Sequence, residues 1–140
     1  MSADVYKLII HTDGGARGNP GPAGLGVYIQ DEKGNVLLEH SRFLGRMTNN
    51  QAEYTAIADA LHHAQVLGAE EVEIFMDSEL AVKQLNHEYK VKNTELAKLF
   101  MRVWNMATQF KKVTFTHVRR EKNKDADKLV NIAIDRHMSS

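Results

Sequence analysis

The spacing of apolar residues switches between strand and helix periods in one order along the chain, and that order constrains the fold more than any single residue does. Tyr6–Thr12 (YKLIIHT) reads as a strand, and its run Leu8-Ile9-Ile10 suggests burial on both faces. A glycine- and proline-rich loop, Gly14–Gly24, follows. Then Leu25–Gln30 and Val36–Leu44 read as two strands, joined by the turn Asp31–Asn35 into a hairpin. Asn49 or Asn50 can cap a helix that runs to about Leu67 and stops at Gly68. Glu71–Met76 alternates as a strand, Ser78 opens a second helix to about Leu85, and Thr94–Phe110 supports a third. Val113–Val118 is a last strand, and Asp125 to about His137 a last helix. Strands first, then helices alternating with strands, predict an α/β fold built on a mixed sheet.

The chain has 140 residues, 43% of them hydrophobic, which is enough to close one core. A single domain over residues 1–140 is therefore expected. No run of about 18 apolar residues is present, so no membrane span is expected. Met1–Lys7 lacks the basic-then-apolar pattern of a secretory leader. With no cysteine, disulfides, thiolate metal sites and cysteine nucleophiles are excluded, and a reducing cytoplasm fits. Net charge is zero, from 18 basic and 18 acidic residues, whereas nucleic-acid binders are usually basic. The charge is uneven, however. Glu70, Glu71 and Glu73 form an acidic patch, and Lys111, Lys112, Arg119, Arg120, Lys122, Lys124 and Lys128 gather positive charge near the end.

Four carboxylates stand where structure alone does not ask for them. Asp13 and Asp77 each follow an apolar strand, and ligands of open α/β sheets gather beyond the carboxyl ends of strands. Either one, taken singly, serves equally as a turn former or helix cap; Asp77 can simply start the helix at Ser78. Glu53 shares its helical face with Ile57, Ala60, Leu61, Ala64 and Leu67, so its carboxylate points toward the sheet. Asp127 shares a face with Val130 and Ile134 and should also look inward. Inward carboxylates repel one another and lose hydration, which raises their pKa values. A divalent cation resolves that conflict. Oxygen ligands without a histidine or cysteine pattern indicate Mg²⁺ or Mn²⁺ rather than zinc. Two such ions roughly 3.5–4 Å apart can serve both the attacking and the leaving oxygen of a phosphodiester.

These residues lie in segments that resemble the four motifs of type 1 ribonuclease H. Thr12–Gly24 (TDGGARGNPGPAG) is similar to the first motif, Thr48–Glu53 (TNNQAE) to the second, Asp77-Ser78 to the third and Asn123–Leu129 (NKDADKL) to the fourth. The resemblance implies a ribonuclease H-like fold, a five-stranded mixed sheet with helices on both faces and its first three strands antiparallel. It implies that Asp13, Glu53, Asp77 and Asp127 are catalytic and hold two Mg²⁺ or Mn²⁺ ions with substrate bound. It places Gly14, Gly15, Ala16, Asn19, Thr48, Asn49 and Asn50 against an RNA/DNA hybrid, with Glu79 where relatives often carry glutamine. The implied activity is hydrolysis of the RNA strand of hybrids by a monomeric endonuclease. The alternatives are a nuclease of the same fold that also acts on double-stranded RNA, and a silent nucleic-acid-binding module.

Two departures from the family stand out. Relatives often carry a histidine in a flexible glycine-containing loop before the last helix, but His117–Asn123 (HVRREKN) is too short for it. His117 falls within the strand pattern and reads as structural, which leaves Arg119 or Arg120 to take part of that role. Second, the lysine- and tryptophan-rich handle of some relatives is reduced to Lys90 and Lys92, and Trp104 sits in a pattern that suits core packing. The other histidines show no metal spacing, and His62 and His63 are expected on the exposed side of the first long helix. The glycine-rich loop ends without Gly-Lys-Ser/Thr, so it is no P-loop. Close approach of its backbone to substrate is the use expected for so many glycines.

Overall fold

In the computed structural model, which describes residues 5–139, the chain forms ten elements in one order. These are β1 (Lys7–Ala16), β2 (Gly21–Asp31), β3 (Val36–Met47), α1 (Asn49–Val66), β4 (Glu71–Met76), α2 (Glu79–Leu85), α3 (Thr94–Ala107), β5 (Lys112–His117), a single 3₁₀ turn (Arg120–Lys122) and α4 (Lys124–Ser139). The sheet order is β3-β2-β1-β4-β5. β1 to β3 pair antiparallel, whereas β4 runs parallel to both β1 and β5. No helix among the described residues is long and apolar enough to cross a membrane.

The apolar run in β1 is buried as expected, with Leu8 and Ile10 fully inaccessible. They join Leu25, Val27 and Ile29 of β2 and Ile57, Ala60, Leu61 and Ala64 of α1 in one core that α2 and α3 complete. Leu67, counted with that stripe, is instead the exposed C-cap. The opposite face of the sheet is covered by α4, where Ala126, Leu129, Val130, Ala133 and Ile134 are buried. Helices thus lie on both faces. The caps differ slightly from expectation: Thr48, not Asn49 or Asn50, opens α1, because its side chain and that of Gln51 satisfy each other's backbone N–H groups.

The expected glycine-rich loop is mostly strand. β1 continues through Gly14 and Gly15 to Ala16, and β2 begins at Gly21, so only Arg17–Pro20 turn the chain. Gly14, within the Gly14–Gly24 segment, and Gly26, just beyond it, are packing positions. A Cβ on Gly14 would lie 2.2 Å from the Ala52 carbonyl oxygen of α1, and one on Gly26 would lie 2.2 Å from the Ala126 carbonyl oxygen of α4. No side chain fits at either place, so helix backbone rests directly on strand backbone. Gly15 is different, since a Cβ there meets nothing nearer than 3.9 Å.

The two charged segments also separate. Glu70 pairs with Lys111 at 2.7 Å and Glu73 with Lys7 at 2.9 Å. Lys111 and Lys112 therefore stand at the start of β5, the end of the sheet opposite Arg119 and Arg120. One basic run in sequence is two patches in space.

Overpacking a tight contact costs roughly 1–3 kcal/mol. Gly14→Ala and Gly26→Ala should each lose stability in that range by denaturant titration, whereas Gly15→Ala should fold nearly as well as the parent. Equal stability of all three would show that the helices do not press on the sheet as described.

Candidate active site

Alternation along β1 sends even residues toward α1 and odd ones toward α4, as the neighbours of Gly14 and Gly15 show. Asp13 therefore faces α4, whose first turn carries Asp127, and the two carboxyl groups are hydrogen-bonded. The contact of Gly14 with Ala52 draws the first turn of α1 onto the same strand, which brings Glu53 beside Asp13. Asp77 follows β4, the parallel neighbour of β1, and the β1–β4 pairing ends at His11 and Phe75, so Asp13 and Asp77 stand just beyond the same end of that pair.

The four acids line one open cavity of about 410 Å³ with Gly14, Gly15, Ala16, Arg17, Asn49, Ser78, Arg120 and Asn131. Asp77 is not the cap of α2. Ser78 is, its Oγ accepting from Ala81 N at 3.2 Å, and its hydroxyl also hydrogen-bonds Glu53. Asp77 is thus left to the cavity. Asn123, buried where the 3₁₀ turn meets α4, donates to the Thr12 carbonyl at 2.9 Å and so ties the start of α4 to the strand before Asp13.

Burial pushes the Asp13 carboxyl up to about 8, with Asp77, the hydrogen bond and charge of Asp127, and Glu53 adding to the effect. Burial likewise lifts Glu53 to about 7, reinforced by Asp77 and opposed by the Ser78 hydrogen bond. Such a cluster of crowded oxygen ligands fits hard divalent cations, whose charge would relieve both the repulsion and the lost hydration.

The residues expected to touch substrate divide between two places. Gly14, Gly15, Ala16 and Asn49 border the cavity, whereas Asn19, Thr48 and Asn50 line a separate cleft of about 200 Å³ with Gln51, Asn93 and Leu96. Two of them also hold the turn in place. Asn49 Oδ1 accepts from Ala16 N at 2.8 Å, and Asn19 Oδ1 accepts from Asn49 N at 3.0 Å. Glu79 is exposed and pairs with Lys83 at 2.9 Å, which keeps its carboxyl below the ordinary range. Arg120 borders the cavity, but Arg119, exposed at the start of the 3₁₀ turn, is not among its lining residues.

Several sequence expectations need correction. His117 does close β5, beside Met76 in register, but its side chain is exposed. Trp104 is 39% exposed and meets His87 edge-on at 4.7 Å, because α3 packs through Leu96 and Val103 instead. His63 is half-buried against Asp59 at 3.3 Å, although its neighbour His62 is exposed as expected. Arg17 was not singled out. It pairs with Asp135 at 2.7 Å and reaches the Asn131 side chain at 3.4 Å on the cavity wall. The one sequence signal for Asn131 was its place a helical turn after Asp127.

A family model described as reverse transcriptase-like matches residues 11–133. LC11-RNase H1, solved in complex with an RNA/DNA hybrid, is 49% identical with a TM-score of 0.90, over 94% of this chain and 99% of that one. The chain belongs to the type 1 ribonuclease H family. Ribonuclease HI of Halobacterium salinarum is 39% identical over 92% of this chain and 65% of its own length. A bifunctional protein of Mycobacterium tuberculosis is 42% identical over 92% of this chain. The chain spans only 36% of the length of that mycobacterial relative. The ribonuclease H fold explains the antiparallel β1–β3 and the parallel β4 and β5 as one inherited sheet.

A carboxyl whose pKa is raised by folding binds its proton more tightly in the folded chain. Its contribution to stability is complete at low pH and declines as pH climbs from 3.8 through about 8 for Asp13, and from 4.5 through about 7 for Glu53. Without divalent cations the melting temperature should therefore fall between about pH 5 and about pH 8, and Asp13→Asn should flatten that fall. A parent whose stability rises across this interval would contradict the crowding.

Proposed function

We propose that this chain is a metal-dependent endoribonuclease that hydrolyses the RNA strand of RNA/DNA hybrids, acting as a single ribonuclease H domain. The observation that carries the reading is the convergence of Asp13, Glu53, Asp77 and Asp127 on one open cavity. All four come from one chain, so a monomer suffices, and the absence of cysteine is compatible with a reducing cytoplasm.

Asp13, Glu53, Asp77 and Asp127 would hold two Mg²⁺ or Mn²⁺ ions. When bound, such ions supply Lewis-acid stabilisation of the attacking and leaving oxygens at a phosphodiester. The chain's own groups do the rest. The Asp13–Asp127 hydrogen bond holds two ligands in register before any cation arrives. Ser78 fixes the orientation of the Glu53 carboxylate. Arg120 sets a guanidinium on the cavity wall, where it can attract phosphate and offset charge on a departing product. Recognition of RNA draws on Gly15 and Asn49 beside the cavity and on Asn19, Thr48 and Asn50 in the separate cleft, which present bare backbone and short polar groups. A 2′-hydroxyl both donates to and accepts from such groups. A DNA strand leaves them unpaired, at roughly 1–3 kcal/mol each. The solved hybrid complex of LC11-RNase H1 supports the choice of substrate.

The decisive assay offers hybrid, duplex RNA, duplex DNA and single strands with Mg²⁺ or Mn²⁺ and identifies the cut ends. Cleavage should be confined to the RNA of hybrids, vanish in excess chelator and return with either ion. It should also rise steeply as a run of ribonucleotides within DNA lengthens from one to several. Robust cutting without a divalent ion would overturn the metal reading, and equal cutting of duplex RNA would replace the substrate class.

The position of Arg120 yields a narrower expectation. Arg120→Ala should lower turnover about ten-fold, equivalent to about 1.4 kcal/mol on the barrier. Arg119→Ala should stay near the parent value. Full turnover in Arg120→Ala, measured at saturating hybrid, would remove this residue from the mechanism.

A further inference from the structure

Away from the catalytic cavity, α1 and the edge strand β3 bring two imidazoles to one carboxylate. Asp59 and His63 stand one helical turn apart on α1, and His40 comes from β3. His40 Nδ1 is 2.7 Å from Asp59 Oδ2, and His63 Nε2 is 3.3 Å from the same oxygen. One ligand atom from each residue lies within 4.8 Å of the other two, the one such trio among the described residues. The Asp59 side chain is only 9% exposed, and the two imidazoles are about as accessible as a ligand with a route to solvent requires, at 30% and 26%.

The His40 Nδ1–Asp59 Oδ2 contact is a hydrogen bond, whose proton a bound cation would displace. The rings of His40 and His63 meet edge-on with centroids 4.7 Å apart, so protonating both would set two cations against each other. Burial lowers the pKa of His63 despite the pull of Asp59, with His40, His62 and Arg42 working in the same direction as burial. A neutral imidazole has a lone pair to offer. Arg42 reaches the other carboxylate oxygen, Oδ1, at 3.7 Å, which leaves Oδ2 to the two rings. An outer partner of that kind is what orients a ligating carboxylate.

We propose that His40, Asp59 and His63 form a binding site for a transition-metal cation of the Zn²⁺ type, with water in the fourth position. Two imidazole nitrogens and one carboxylate oxygen suit zinc, whereas the all-carboxylate catalytic cavity suits harder ions. The two sites thus sort cations by ligand chemistry. The second is separate along the helix, since Glu53 precedes Asp59 by six residues, about 9 Å of helix axis. A cation there clasps the sheet edge to α1, joining residues 19 and 23 positions apart in the chain through one centre.

The test titrates the chelator-stripped chain with Zn²⁺ in excess Mg²⁺, so that the carboxylate cavity is already supplied with its preferred ion. Ring nitrogen signals of His40 and His63 should shift together up to one equivalent, while those of His11 stay in place. His40→Gln and His63→Gln should each weaken zinc binding at least ten-fold, and neither should gain in melting temperature on zinc addition as the parent does. Both variants should retain Mg²⁺-dependent hybrid cleavage and the parent circular dichroism. The proposal is overturned if the two ring signals do not move at one equivalent of zinc. It is equally overturned if both variants bind zinc as tightly as the parent. The nuclear magnetic resonance arm uses the unsubstituted chain, so a variant that folds poorly does not blunt the test.

Discussion

The direct seating of helix backbone on strand backbone at Gly14 and Gly26 is the contact on which the rest of the site depends. With no Cβ at either position, the Ala52 and Ala126 carbonyls come as close to the sheet as side-chain-free packing allows. Each of those alanines immediately precedes or stands beside an acid, Glu53 in α1 and Asp127 in α4. Two helices from opposite faces thereby deliver Glu53 and Asp127, each near its helix start, to Asp13 within β1 and Asp77 just after β4. A methyl group at either glycine would displace a helix before it displaced an acid, and the site would come apart through its frame.

That frame holds together groups that oppose one another. Asp13, Glu53, Asp77 and Asp127 share a cavity in which burial raises the carboxyl of Asp13 to about 8 and that of Glu53 to about 7. Only the Ser78 hydrogen bond to Glu53 offsets this, whereas the one between Asp13 and Asp127 adds to the rise at Asp13. The apolar core of Leu8, Ile10, Ile57 and Leu61 lies on the α1 side of the sheet and holds together the elements that carry Asp13 and Glu53.

Charge is divided between the ends of the sheet. A chain of zero net charge gains little from long-range attraction to nucleic acid. Its cations act where the fold puts them. Lys111 is neutralised by Glu70 at one end of the sheet, while Arg120 and Arg17 stand on the cavity wall at the other.

The order of strands and helices, the inward faces of Glu53 and Asp127, and the place of Asp77 just after β4 were legible in the sequence, whereas Asp13, expected where a strand ends, lies inside β1, which runs on to Ala16. Hydrophobic period and helical spacing are local properties, readable within a few turns of chain. What escaped was set by neighbours distant in sequence. Gly14–Gly24 read as a loop because glycine is ambiguous without knowing what lies above it, and only the approach of α1 and α4 reveals why those residues are strand. Trp104 fell on the exposed side of α3 because Leu96 and Val103 already meet α1. His40 and His63 showed no metal spacing because one is on β3 and the other on α1, and a pattern search along one chain cannot see a partner across the sheet. The sequence by itself determined which elements form and which carboxylates face inward, since both follow from periodicity. Only the tertiary structure decided that those carboxylates share one cavity, that Arg120 rather than Arg119 borders it, and that Asp59 gathers two imidazoles, because each depends on how separate elements pack.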